Sequence, residues 1–293
     1  MGEKQLRKGR RPPEVPIPRI LKVRGMVSVF VRECTPDFYF NGEFHDFWEF
    51  VCVLEGKAGV AADEKVFLLE AGQIIFHKPM EFHRLWAEGP NVKLAIFSFA
   101  ADGLEPFEDK VFRLSFDHLE SVNRLAALAQ DAMEFRHQAF VRRPKDPVAA
   151  QMFLNALELF LLGLLRSERI SEKRLASRPA EHYTAIVGVL RDNLDKPLTL
   201  DQVAALCQMS VGNLKKVFSR YAGCGVIKYF TGMKMKRAIS LLAEGVAVAE
   251  ISRRLGYVSQ NYFSEVFKRE IGCAPSRYFR FAPEPAAHNT SAG

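Results

Sequence analysis

The chain has 293 residues, of which 48% are hydrophobic and 26% charged, with a formal net charge of +7. This globular composition, at a length that suits two domains, excludes a mostly disordered chain, a collagen-like fibre and a small disulfide scaffold. The charge is uneven: residues 1–24 hold eight Lys/Arg against two Asp/Glu, residues 25–178 hold 18 against 23, and residues 179–293 hold 15 against nine. A basic module joined to a mildly acidic body points to nucleic acid at one end and a different partner at the other.

Residues 1–24 read as a basic arm without a core of its own, carrying Arg10, Arg11, Pro12 and Pro13. No apolar run follows the first residues, so no secretory signal is expected. The longest near-apolar stretch, Ala156–Leu165, falls short of the ~18 residues of a membrane span and carries Glu158, so no membrane partner is expected. Five cysteines, Cys34, Cys52, Cys207, Cys224 and Cys273, form no C-x-x-C pair and suit a reduced, cytoplasmic protein.

Residues 25–104 alternate short β-prone runs with turns. The runs are Val27–Val31, Phe47–Leu54, Lys65–Leu69, Gln73–Phe76 and Val92–Phe99, and Gly56, Gly72 and Gly89 mark turns between them. This spacing predicts a sandwich or barrel. Residues 105–166 change character, with helical periodicity over Leu119–Phe135 and Val148–Leu165. Leucines nearly encircle the second helix, which must be buried or pair with another chain. The expectation is a helical dimerisation segment in which Leu157 and Leu161, spaced i, i+4, pack against a partner helix. Residues 167–180 read as a polar linker, 181–282 as a domain of short helices, and 283–293 as a disordered tail.

The C-terminal domain repeats itself at an offset of 49: Ser210, Leu214, Phe218, Gly223 and Cys224 recur as Ser259, Phe263, Phe267, Gly272 and Cys273. The serines stand at N-cap positions, the glycines at helix stops, and the i, i+4 apolar pairs on one helical face. Each helix follows a shorter one, the first opened by the capping box of Thr199 and Gln202. Two helix-turn-helix units result, joined by a helix over Val226–Leu242 whose run Lys234 to Arg237 supplies a basic edge. That connector is about 25 Å long, a length that can set two recognition helices in successive major grooves.

Residues 181–281 resemble the C-terminal DNA-binding domain of AraC-type transcription regulators. The resemblance is carried by Leu198–Ala204, Met209, Ser210, Leu214, Phe218, Ala238, Leu241, Leu242, Ile251, Leu255–Tyr257, Asn261–Gly272, Pro275 and Tyr278. The chain departs from the family at Ser252, where Ala is usual, at Ala247 in place of a Ser/Thr cap, at Val226 and at the position of Arg280. By position, the first recognition helix offers Val211, Gly212, Asn213, Lys215, Lys216 and Arg220 to DNA, and the second offers Ser259, Gln260, Asn261, Tyr262, Ser264, Glu265 and Lys268. Asn and Gln suit adenine, Lys suits guanine or phosphate, and Glu can accept from cytosine.

Residues 41–86 resemble the cupin-like sensor barrel of the same family, through His45–Glu49, Leu54–Gly56, Gly72–Phe76, Pro79 and His83. His45, Phe47 and Glu49 share a strand face by period two, and with His83 they are the candidate ligand-binding residues. Metal-binding cupins supply about three His and one carboxylate from these motifs; here Glu43 stands where the first His would be, and no metal or other cofactor is expected. His77 reads as structural. Phe38, Phe40, Phe47, Trp48 and Trp86 are the aromatic supply for a pocket or for barrel core.

The resemblance implies an α+β, two-domain protein: a cupin-like barrel with a helical dimerisation segment, then an all-α double helix-turn-helix. It implies a non-enzymatic, homodimeric activator that binds double-stranded DNA, a small-molecule effector and RNA polymerase. The rival readings are a metal-dependent cupin enzyme carrying a DNA-binding module, and an architectural DNA-binding protein with a ligand-blind barrel.

Overall fold

The computed structural model describes residues 14–108, 110–137, 139–166 and 178–278, and the backbone of 169–170. Most of the basic arm, most of the expected linker, Arg280 and the expected tail lie outside the described residues. The N-terminal domain begins with eight antiparallel strands: β1 (Lys22–Cys34), β2 (Tyr39–Glu43), β3 (Trp48–Glu55), β4 (Lys57–Ala62), β5 (Lys65–Glu70), β6 (Gln73–His77), β7 (His83–Ala87) and β8 (Val92–Asp102). There follow β9 (Val111–Arg113), α1 (Phe116–Ala132), β10 (Met133–Arg136), β11 (Phe140–Pro144), α2 (Pro147–Leu165) and β12 (Arg169–Ile170). They form an eight-stranded sheet ordered β10-β11-β1-β8-β3-β6-β9-β12 and a four-stranded sheet ordered β2-β7-β4-β5.

The middle of the large sheet is buried on both faces. Along β3, Val51 and Val53 point into the barrel against Val60, Phe67 and Leu85 of the small sheet. Phe50 and Cys52 point the other way, against Phe153, Leu157, Phe160 and Leu161 of α2 and Leu125 of α1. A strand covered on both sides reads as a continuous apolar run, which is what Phe50–Leu54 is.

This packing corrects the expected dimer contact. Leu157 and Leu161 are fully buried in their own domain, so they cannot meet a partner helix. The apolar residues that α2 exposes are Val148, Met152 and Leu159. By length and composition α2 could cross a membrane, whereas the sequence reading expects no spanning segment. In the structure one face of it is barrel core, and Glu158 on another accepts from Val23 N and from Arg19.

Other boundaries shift as well. β1 starts inside the expected arm, because Leu21 and Val23 are core residues. The expected helix Leu119–Phe135 starts at Phe116, where Ser115 caps it, and gives way at Met133 to a strand. The segment 105–166 therefore holds three strands besides its two α-helices.

The C-terminal domain is α3 (Arg178–Arg191), α4 (Leu200–Leu206), α5 (Val211–Ala222), α6 (Val226–Ala243), α7 (Val248–Arg254), α8 (Gln260–Ile271) and α9 (Pro275–Tyr278). α3 starts within the expected linker, and its Ala180, Tyr183, Ile186 and Leu190 pack on Leu214 and Phe218. A second core gathers Leu241, Leu242, Ile251, Phe263 and Phe267. Lys234 is not part of a basic edge: it is buried and donates to the carbonyls of Lys196 and Leu255, tying α6 to the turn after α3 and the end of α7.

The two domains touch through the outer face of the small sheet. Phe82 and Phe44 pack on Tyr229, Trp86 meets Tyr221, and the Tyr183 hydroxyl donates to the Asp63 carbonyl at 2.9 Å. Lys236 donates to Asp63 Oδ2 at 2.7 Å and Arg191 to Glu64 at 3.0 Å. Gly59 allows this layer, since a Cβ there would strike the Trp86 ring.

Candidate functional site

The barrel encloses a cavity of about 220 Å³ lined by Phe30, Phe38, Phe40, Phe47, Val51, Leu85, Ile96 and Phe140, with Ser28, Arg32, Glu43, Glu49, His83 and Ser98 as its polar groups. An apolar chamber with a few convergent polar groups is the form of a small-molecule site.

The polar groups come from five strands, Ser28 and Arg32 from β1 and Ser98 from β8 among them. Glu49 lies on β3, in phase with Val51 and Val53, and so faces inward. His83 opens β7, and Glu43 closes β2 opposite it in the ladder. His45 and Phe47 were expected on a strand face with Glu49, but both precede β3 in the connecting loop. The loop nonetheless turns His45 inward, its ring stacked on Phe47 at 3.8 Å, and Phe47 lines the cavity.

His83 Nε2 lies 3.3 Å from Glu49 Oε1, and His45 Nε2 lies 3.9 Å from Glu49 Oε2. Ser98 Oγ donates to Glu49 at 2.6 Å and shares a hydrogen bond with Ser28 Oγ at 2.7 Å. Burial pushes the Glu49 carboxyl up, but His83, Ser98 and His45 outweigh it and hold it down at about 2. His83 shows the reverse balance: burial disfavours its cation, yet the Glu49 carboxylate raises its pKa. Burial and the neighbouring His83 charge hold His45 down at about 4, and burial raises Glu43. His77 packs behind this group, stacked on His83 at 4.4 Å with Nδ1 2.9 Å from Glu81.

Of the expected aromatic supply, Phe38, Phe40 and Phe47 line the cavity. Trp48 faces the helices on the far side of the large sheet, and Trp86 faces the DNA-binding domain. Sequence reasoning missed Ser28 and Ser98. Their signal was a serine inside each of two apolar runs, Val27–Val31 and Phe97–Phe99, which the fold sets directly opposite one another.

The recognition helices form from their caps. Ser210 accepts from Asn213 N and Ser259 from Tyr262 N, while Gly223 and Gly272 end the helices at positive φ. Among the described residues no side chain caps α7 at Ala247. On α5, Gly212, Asn213, Lys215, Lys216 and Arg220 are exposed and Val211 is half-buried. On α8 and its cap, Ser259, Gln260, Asn261, Tyr262, Glu265 and Lys268 are exposed and Ser264 is half-buried. Leu214, Phe218, Phe263 and Phe267 are fully buried. Lys215 and Lys216 also border a groove of about 840 Å³ shared with Tyr39, Asn41 and Arg84 of the barrel.

Comparison with known proteins agrees with both halves. Residues 26–159 match the AraC-like ligand binding domain and residues 203–280 a helix-turn-helix domain. The HTH-type transcriptional regulator YpdC of Escherichia coli is 26% identical over 238 residues, 80% of this chain and 82% of that one. The HTH-type transcriptional activator RhaR of Mannheimia succiniciproducens is 21% identical over 264 residues, 86% and 91% of the two chains. Among solved structures, ToxT of Vibrio cholerae aligns with 87% of this chain and 98% of its own at 14% identity and a TM-score of 0.35. The chain belongs to the AraC-type transcription regulators. It is a DNA-binding regulator with a ligand-binding domain ahead of its helix-turn-helix domain.

Proposed function

We propose that this regulator is a cytoplasmic, homodimeric activator whose DNA-binding domain is controlled by a small molecule in the barrel cavity. The carrying observation is the alternation of β7. His83 and Leu85 line the cavity, while Arg84 and Trp86, between and beside them, contact α5 of the DNA-binding domain. A ligand that moves this strand moves both faces.

Val211, Gly212, Asn213, Lys215, Lys216 and Arg220 of α5, with Ser259, Gln260, Asn261, Tyr262, Ser264, Glu265 and Lys268 at α8, are the groups proposed to meet two adjacent major grooves. His45, Phe47, Glu49 and His83 are those proposed to meet the effector. Activation through RNA polymerase follows the RhaR and RhaS relatives, both named as activators. Homodimer formation rests on Val148, Met152 and Leu159, which lie within about 40° of one line along α2 at 100° per residue.

The test is a thermal-shift screen of the full chain against metabolite classes, followed by DNA affinity with and without each hit on a duplex selected from a random pool. A hit that raises the midpoint and changes DNA affinity at least about threefold, and that loses both effects in Phe40→Ala, is the expected result. Hits that stabilise the chain but leave DNA affinity unchanged overturn the control reading.

A further inference from the structure

Lys234 stands in the middle of α6, the helix that contributes to the cores of both helix-turn-helix units, and its side chain is buried. We propose that Lys234 is a positioning residue for DNA reading: its ammonium fixes the second unit against the first and so sets the spacing between the two base sequences that α5 and α8 read. The proposal rests on the reading that these two helices enter adjacent major grooves.

The two units have separate cores. Leu214, Phe218 and Tyr229 belong to one, and Leu241, Ile251 and Phe263 to the other. Leu194, in the turn after α3, packs against both. Beyond α6 itself, the units meet where that turn lies on the end of α7. The contact there is backbone to backbone, since a Cβ on Gly256, at φ +66°, would strike the Asp195 carbonyl. Lys234 closes the same joint. Its Nζ donates to the Lys196 carbonyl of the first unit at 2.8 Å and to the Leu255 carbonyl of the second at 2.7 Å. The ammonium also lies over two rings, Phe230 at 4.8 Å and Tyr257 at 5.1 Å, one from each core.

The chemistry of the group separates fixing from filling. An ammonium has three donors; two go to the carbonyls, which leaves the third for the aromatic faces. Among the described residues no carboxylate forms an ion pair with it. Burial lowers its pKa to about 8, with Asp195 opposing from farther off, so at pH 7 it is a cation held against its desolvation. An apolar side chain of similar size would fill the space without that cost. It would lack direction: hydrogen bonds specify distance and angle, whereas apolar contact is non-directional. Each inserted base pair carries the second site about 3.4 Å along the duplex and turns it by roughly 35°. A reader whose two units are locked refuses that displacement, and a reader hinged at α6 follows it.

The test measures affinity of the full chain at pH 7 on the duplex selected from a random pool, with the bases under α5 and α8 located by scrambling. The same duplex with one base pair inserted or removed between those sequences is measured beside it. The wild type is expected to bind the altered duplexes about tenfold or more weakly, and Lys234→Met, close in length and without a donor, to reduce that ratio to about threefold or less. Far-ultraviolet spectrum and thermal midpoint check that the variant folds. If it does not, Lys234→Gln, which keeps a donor but is too short for both carbonyls, is read in the same way with the same expected loss of discrimination. A folded variant that weakens binding to all three duplexes by one common factor, or leaves the wild-type ratio unchanged, assigns Lys234 to stability alone and overturns the proposal. A wild type indifferent to the inserted base pair overturns it together with the two-groove reading, so the two failures are distinct.

Discussion

Arg84 Nη1 lies 2.9 Å from the carbonyl oxygen of Ser219, so a strand of the sensor barrel directly caps the last turn of the first recognition helix. The same guanidinium also meets the Arg220 carbonyl, and it supplies the positive charge that a helix C-terminus favours. Gly223 makes room: its φ of +65° suits glycine, and a Cβ there would come within 2.9 Å of Arg84 Nε.

Removing this contact together with the Lys236–Asp63 ion pair should uncouple the domains. In Arg84→Leu/Lys236→Met we expect calorimetry to resolve two transitions where the wild type shows one, with the DNA-binding domain melting several degrees lower. An unchanged single transition would show that the remaining contacts, the aromatic layer of Phe44, Phe82 and Tyr229 with the Tyr183–Asp63 and Arg191–Glu64 bonds, hold the interface.

The two sides of α2 should behave oppositely. Leu157→Ala opens a cavity against Phe50 and Phe97 and should cost about 2–5 kcal/mol without a specific effect on association. Met152→Glu/Leu159→Glu should change stability by less than about 1 kcal/mol and yield monomers in sedimentation. A double variant that remains dimeric at tens of micromolar places the interface elsewhere.

Acid should destabilise the barrel in two stages. His45, held down at about 4, refuses a proton that the unfolded chain accepts below its ordinary 6.5, so stability falls between pH 6.5 and 4. Glu49, held at about 2 against an ordinary 4.5, contributes stability above pH 4.5 that is lost as pH falls towards 2. The raised pKa of His83 gives a contribution that is complete below pH 6.5, so it does not oppose this trend. Glu49→Gln should cost about 2–4 kcal/mol at pH 7 and flatten the dependence below pH 4.5. Urea midpoints across pH 3–8 give the answer, and a variant that retains the wild-type slope below 4.5 would assign that slope to other carboxylates.

Neutralising about six phosphates per monomer implies a slope of log K against log salt near −5. Lys216→Ala should flatten it by about one and weaken all duplexes alike. Gln260→Ala and Asn261→Ala should cost roughly 1–3 kcal/mol on the selected duplex and little on random DNA. Val211 and Gly212 offer no side-chain hydrogen bonds to bases, so scrambling the bases under α8 should cost at least as much as scrambling those under α5. If scrambling under α8 leaves affinity unchanged, that helix anchors phosphate only.

Capping supplies a stability comparison between the two units. Ser210→Ala removes the hydroxyl that accepts from Asn213 N and should cost about 1 kcal/mol, whereas Ala247→Ser should gain a similar amount at α7. Chemical denaturation of the full chain reads both. An unchanged midpoint in Ala247→Ser would show that the backbone at Ala247 holds a geometry the added hydroxyl cannot serve.

By itself the sequence determined the parts whose cause is local. The capping box of Thr199 and Gln202, the N-cap serines, the glycine stops and the i, i+4 core pairs stand as read, because each rests on hydrogen bonds or spacing within one turn. The turns between strands were legible for the same reason. Tertiary structure decided which side of an apolar element meets what. Leu157 and Leu159 are two residues apart and equally apolar, yet one is fully buried and the other 71% exposed, because the large sheet covers only one side of α2. It also decided the polar site. Ser98 becomes a partner of Glu49, and Ser28 of Ser98, only when β1, β8 and β3 lie side by side. His45 reaches the same place from a loop, where no period-two rule applies. Lys234 reads as a surface base, but packing of α6 against two carbonyls from distant turns buries it. Long-range pairing sets these environments, and a pattern of residue types along one chain does not encode which distant backbone will stand opposite.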